Sequence, residues 1–340
     1  MSIKKIIKTI LPNSIFLFLK KVKRNYSNKK ALKIEYDYDR NRYFEHSSFL
    51  NKNNPQKLIG YIIREYHVVE KGLTMPETKL GFGKDLIMRL SDACLQYIQL
   101  YGNDEPQLKQ AVKVLLEYKN FHQIRDFQLD KTVLEKINQL SKLSQLDEFS
   151  EQKILSSENY FSKSESSFKE FAESRASIRN YSNEDVSLEQ INNALELATT
   201  TPSACNRQCS RTYVFTDKEE VVNILNAQGG NRGFGHLANK LIVITAEVGV
   251  FLNKTERNQA FIDGGMYAMN LLYGLHYNKI AGCILNCSFS SDKDQEMRKL
   301  CKIKDSEVFI AMISCGNVPQ DFKAALSKRY NYEFINTTNK

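Results

Sequence analysis

The chain has 340 residues, 42% of them hydrophobic and 26% charged. That balance excludes an intrinsically disordered chain, and the length suffices for two domains or for one domain with a long extension. The net charge of +9 points to nucleic acid or an anionic surface only until its distribution is read: residues 1–34 hold ten Lys and Arg and no acid, and the remainder carries 38 basic and 39 acidic residues.

The basic leader, MSIKKIIKTILPNSIFLFLKKVKR, interleaves lysines with Ile, Leu and Phe. Its longest apolar run, IFLFL, is too short to span a bilayer, and no small-residue cleavage site marks a secretory signal. Two readings of residues 1–34 stand: peripheral contact with anionic lipid, or a solvated arm. Nothing in them resembles a base-reading module, so nucleic acid is not an expected partner. Seven scattered cysteines form no disulfide framework and imply a reducing, cytoplasmic setting, with any membrane contact peripheral to its inner face. Cys205/Cys209 and Cys283/Cys287 are each four apart with no histidine at ligand spacing, so no metal site is expected.

Residues 35–150 form a helical N-terminal region. KLIGYIIREYHVV, KDLIMRLSDACLQYIQLY and PQLKQAVKVLLEYKNF each place apolar residues three and four apart, and EKGLTMPETKLGFG between the first two reads as a loop. Residues 145–172, rich in Ser, Glu and Lys, read as a linker or a polar helix, with 151–172 as the linker proper. From 173 to 330 helical and strand patterns interleave, and 331–340 is a tail. Ser187 and Gln190 predict a capping box on a helix burying Ile191, Ala194, Leu195 and Ala198. Strands are predicted at RTYVFTD, LIVITAE and VFIAMISCG, with a long helix from about Asn258 to Tyr277. This is an α+β domain with a largely buried sheet.

Three segments carry chemistry. In RASIRNYS, an extended chain puts Arg175, Ser177 and Arg179 on one face, two guanidinium forks and a hydroxyl suited to a phosphate; basic residues that merely cap helices or pair with carboxylates are the competing reading. TPSACNRQCSR delivers Asn206 and Gln208 from a tight turn, amides fit either for the edge of a heterocycle or for tying up loop carbonyls. In FIDGGMYAMNLLYGLHYNKIAG, Gly264 and Gly265 sit in a helix at a cost of about 1 kcal/mol each. A close neighbour explains them, whether a partner helix, a planar cofactor or packing within the chain. GFGHLA is not a dinucleotide turn, because it precedes a strand. His236 and His276 are isolated and read as structural, and no catalytic Ser, His, Asp set is present.

Together RASIRNY, PSACNRQ, IDGGMYAMNLL, GCILN, ISCGNVP and SKR resemble the nitroreductase family of flavoenzymes over about residues 173–330. The resemblance implies a nitroreductase-like FMN-binding fold, a central mixed sheet flanked by helices. It implies FMN contacts at Arg175, Ala176, Ser177 and Arg179, a second phosphate contact at Arg329, amides at Asn206 and Gln208 facing the flavin, and a backbone near the ring at 284–286, including Leu285 and Asn286. It further implies an intertwined homodimer, NADH or NADPH as reductant, and a quinone, nitro compound or other small acceptor. No catalytic acid or base is expected, since the flavin carries the chemistry. Cys209 and Ser210 stand where many relatives have Pro and Trp, which alters the pocket wall, and a thiol there is either redox-active or buried and inert. HVVEKGLTMPETKLGFG is similar to an extension carried by nitroreductase-like proteins of bacterial surface polysaccharide synthesis. An oxidase or dehydrogenase of a biosynthetic intermediate, and a scaffold without catalysis, are the alternatives.

Overall fold

The computed structural model describes residues 12–338, so Lys4, Lys5 and Lys8 of the basic leader lie outside the described residues. Among the described residues no helix is long and apolar enough to cross a membrane. The chain forms two compact units: one takes the chain up to Asn51 together with Phe251–Asn258, the other Lys52–Val250 with Gln259–Lys340.

The first unit is built on one helix, α1 (Asn13–His46), which follows Pro12 and buries none of its residues. Glu35 and Asp39, four apart, share a face. Arg257 grips Asp39 through Nε and Nη2 at 2.6 and 2.8 Å, and Lys254 meets Glu35 at 2.6 Å. These cations hold both carboxyls below their ordinary values.

The second unit opens with four helices, α2 (Pro55–Leu73), α3 (Lys84–Tyr101), α4 (Pro106–Gln123) and α5 (Lys131–Ser144). On α2 the apolar spacing puts Leu58, Ile62, Tyr66, Val69 and Leu73 in one stripe, and they form a core with Leu90, Leu115 and Ile137 of the other three. The loop predicted from Glu70 starts later, at Thr74, because α2 continues through Gly72. A Cβ at Gly72 would lie 2.3 Å from the Phe82 ring, so the glycine lets the loop fold back over its own helix.

Residues 145–172, expected as linker or polar helix, hold a strand β1 (Lys153–Ser156) and two short helices, α6 (Ser157–Phe161) and α7 (Phe168–Ser174). Then come α8 (Leu188–Ala198), β2 (Ser210–Phe215), α9 (Lys218–Gln228), β3 (Lys240–Glu247), α10 (Gln259–Tyr277), β4 (Ala281–Asn286), α11 (Ser291–Cys301), β5 (Glu307–Gly316), β6 (Asp321–Ala324) and α12 (Tyr332–Ile335). Ser187 and Gln190 make the predicted capping box on α8.

The main sheet has the order β2-β3-β5-β4, and its three pairings are all antiparallel rather than mixed. Alternation along β3 sends Leu241 and Val243 to a core with α9 and α11, and Ile242 and Ile244 to a core with α8 and α10. The fold is therefore the expected one, a sheet covered by helices on both faces and preceded by a helical region. β1 pairs with β6 in a separate antiparallel ribbon, Lys153 opposite Ala324. Beside it Gln107 donates to the Lys328 carbonyl at 3.3 Å, and Tyr330 to Glu105 at 2.9 Å, so the end of the chain is bound to the helical region.

Two residues of α10 explain its seating. A Cβ at Gly274 would stand 2.6 Å from the Ala194 carbonyl oxygen, so the two helix backbones touch only because Gly274 has no side chain. Replacing Gly274 by Ala should cost about 1–3 kcal/mol, read as a lower urea midpoint; an unchanged midpoint would show that the α8–α10 crossing relaxes freely. One residue from the end, His276 is buried with Nε2 2.7 Å from Ser174 Oγ, and burial, then the nearby Arg175 charge, push its pKa down to about 4. Unfolded, the imidazole takes its proton near the ordinary 6.5. Its stabilisation is thus whole above that value and fades as pH falls towards 4. Urea midpoints should drop over that window, and less steeply in His276→Phe; identical slopes would assign the acid sensitivity elsewhere.

Candidate functional site

The segment 175–181 runs beside the edge strand β4, with Ile178 N donating to Gly282 O at 3.1 Å. Ile178 is fully buried, and Tyr181 locks the far end by donating to Ile178 O at 3.0 Å and Ser314 O at 2.8 Å. Tyr160 holds the near end, donating to Ala176 O at 3.0 Å. With its apolar members anchored, the segment sets Arg175 and Arg179 both close enough to act on the Cys283 thiol.

Among the described residues no carboxylate forms an ion pair with Arg175 or Arg179. Arg179 is nonetheless 9% exposed, and Arg175 Nε is buried with no hydrogen-bond partner. A buried cation without a counter-charge is costly, so these two guanidinium groups fit an oxyanion. Lys71 of α2 joins them: its pKa is lowered by burial, then by the positive charge of Arg179, and among the described residues it too forms no ion pair. The same three cations pull on the buried Cys283 thiol, though burial dominates and its pKa stays above the ordinary value.

Beneath Arg175, Ser174 Oγ donates to Phe171 O at 2.9 Å and so accepts from His276 Nε2–H. His276 Nδ1 is then a bare acceptor, buried and unpartnered like Arg175 Nε. The neutral imidazole sets no second positive charge against Arg175.

The amide turn lies at the other end of α10. Buried Asp263 accepts from Ala204 N at 3.1 Å and from Gln259 Nε2 at 2.7 Å, tying the turn to the helix. Cys205, Asn206 and Gln208 all have positive φ, between 48° and 55°, so the turn carries backbone strain that Asp263 and the Ser203 Oγ bond to Gln208 N, at 2.8 Å, help hold. Asn206 and Gln208 are exposed, and Gln208 Nε2 donates to Asn206 Oδ1 at 3.3 Å. Cys209 is fully buried with Sγ 3.9 Å from Asp263, and burial followed by that carboxylate raises its pKa, so both disfavour the thiolate.

Thirteen residues separate Asp263 from His276 on α10, a distance of about 20 Å along the axis. The amide turn and the segment that begins at Arg175 are thus held near opposite ends of α10. Of the other expected residues, the Leu285 side chain belongs to the core and only its backbone is available, while Ile284 and Asn286 are exposed. Arg329 is exposed near Tyr66 of α2, whose pKa its charge lowers against a larger rise from burial.

Sequence reasoning missed Lys71, Asp263 and the Ser174–His276 pair. Asp263 had a signal, a lone charge in the apolar IDGG stretch. Lys71 had none, being about a hundred positions from the motif it joins. Gly264 is explained within the chain, since a Cβ there would meet Ile310 at 2.5 Å, whereas Gly265 faces open space. Among the described residues no group of three or more His, Cys, Asp or Glu is arranged to hold a metal.

The chain resembles solved structures over about half its length. A nitroreductase family protein from Streptococcus pneumoniae is 18% identical, covering 51% of this chain and all of its own, with a TM-score of 0.45. An FMN-dependent nitroreductase from Clostridium difficile is 23% identical, covering 48% of this chain and 92% of its own, with a TM-score of 0.40. A second nitroreductase family protein from that species is 20% identical, covering 51% and 99%, with a TM-score of 0.43. No curated protein matches the chain. The part of the chain that carries the main sheet and α10, residues 172–317, matches the model of the Nitroreductase family and has the nitroreductase-like fold.

Proposed function

We propose that the protein is an FMN-dependent oxidoreductase that uses reduced nicotinamide, NADH or NADPH, to reduce a quinone, nitro compound or other small acceptor. The observation that carries this reading is the pair Arg175 and Arg179, sunk beside β4 without a carboxylate, one with an unpartnered buried Nε. A phosphate supplies the missing charge and acceptors. The match of residues 172–317 to the nitroreductase family model supports reading that phosphate as the one of FMN. When bound, FMN carries the electrons between donor and acceptor. The chain's residues bind and orient: Arg175, Ser177 and Arg179 hold the phosphate end with Ala176 as spacer, and Asn206 and Gln208 offer donors and acceptors to a ring edge.

Two half-sites about 20 Å apart on α10 are best joined across a homodimer, in which one copy's amides meet the other's cations. The exposed Phe261, Ile262, Met266 and Met269 of α10 support such a face. We place Arg329, Leu285 and Asn286 at its margin, on resemblance alone. The surface-polysaccharide context rests in the same way on residues 67–83.

The leader adds a peripheral membrane role. On α1, Ile15, Phe18, Leu19 and Val22 share a face and are exposed, with Lys20, Lys21, Lys23 and Arg24 beside them.

Denatured protein should release FMN, identified by chromatography. The double substitution Arg175→Ala/Arg179→Ala should weaken FMN binding by on the order of 1.5–3 kcal/mol per guanidinium, read by flavin fluorescence titration; equal affinity would remove the assignment. Deleting residues 1–34 should abolish sedimentation with phosphatidylglycerol vesicles and leave flavin content intact. Sedimentation equal to that of the full chain would end the membrane proposal.

A further inference from the structure

A second cationic site lies beyond Lys71, on the side of the helical region. Arg64, Val68 and Lys71 occupy positions i, i+4 and i+7 of α2, and Leu86 and Arg89 positions i and i+3 of α3. These faces line a cleft of about 630 Å³, closed on its third side by the loop after α9 with Gly229, Arg232 and Phe234. The loop is fitted to that position. Gly233 has a φ of +88°, and a Cβ there would come 3.0 Å from Met75 Sδ, so only glycine lets the loop lie on the helical region and carry Arg232 to the rim.

The charge in this cleft is not balanced. Glu65, 5% exposed, accepts from Arg64 at 2.7 Å and from Arg89 at 3.5 Å, which fixes both guanidinium groups and leaves them a net charge of +1. Among the described residues Lys71 and Arg232 form no ion pair, which brings the lining to +3. Between the cations the walls are apolar, from Val68, Met75, Phe82, Leu86 and Phe234.

We propose that this cleft binds an organic phosphate, its dianion taken by Arg232, Lys71 and the Glu65-ordered arginines, and its apolar body seated against Val68, Phe82 and Leu86. Guanidinium groups pre-set by a buried carboxylate lose little freedom when they meet a phosphate. The ligand also relieves Lys71, whose charge is disfavoured by burial and by Arg179 and Arg232. The proposal is separate from the flavin reading. Lys71 stands between the two sites, but Arg232, Val68 and α3 belong to the cleft alone.

The test is calorimetric titration of the full chain, saturated with FMN, using 1-naphthyl phosphate, inorganic phosphate and 1-naphthol. The naphthyl phosphate should bind at least about tenfold more tightly than either half. Arg232→Glu and Val68→Glu, both at exposed positions, should each weaken it by about tenfold or more without changing FMN content. Equal affinity in the wild type and both variants, or 1-naphthol binding as tightly as its phosphate, overturns the cleft. If the protein takes up no FMN, the same titrations are run without it. An Arg232-dependent affinity then upholds the cleft while the flavin reading falls, and a variant-independent one with FMN bound leaves the flavin reading standing alone.

Discussion

Helix α10 lies against α8 with backbone touching backbone at Gly274 and Ala194, and the function-bearing parts hang from its two ends. Near its start Asp263 pulls in the amide turn; near its finish His276 meets the residue before Arg175. A rigid helix packed on a sheet fixes the spacing of those ends more exactly than loops do, and neither end has to pay for order by itself.

The electrostatics follow a division between paired and unpaired cations. Lys240 is matched by Asp185, Arg298 by Asp294 and Arg257 by Asp39. Among the described residues Arg175, Arg179 and Lys71 have no such partners, although they are less accessible than most surface cations. Pairing is the ordinary outcome for a charge drawn out of water, so these exceptions are the observation on which the proposed anion site rests.

Much of this was legible in the sequence, where local rules suffice. The capping box at Ser187 and Gln190, the long helix from Gln259, strands β2, β3 and β5, and the shared face of Arg175 and Arg179 all follow from spacing of two or three to four residues. β4 was read as a motif rather than as a strand, since AGCILN is short and its glycine weakens the pattern. β1 was hidden for a different reason: KILS has no strong signature, and what makes it a strand is its partner at the far end of the chain. Lys71 and the Glu65 trio belong to the same class, features of tertiary juxtaposition that no window of sequence contains. Gly274 shows the limit from the other side, a glycine that looked like one of several small residues on α10 and turned out to be the one where another backbone comes closest.

The β1–β6 ribbon has a consequence for how the molecule is made. Ser156 pairs with Asp321, so the ribbon closes only once the chain has been made through residue 324. On the ribosome the four-helix region, whose contacts are local, emerges complete and packs early, while β1 waits with its hydrogen-bonding groups on water. A nascent chain truncated before β6 keeps its helical core yet leaves that seam open, and such an edge is what quality-control proteases and chaperones recognise.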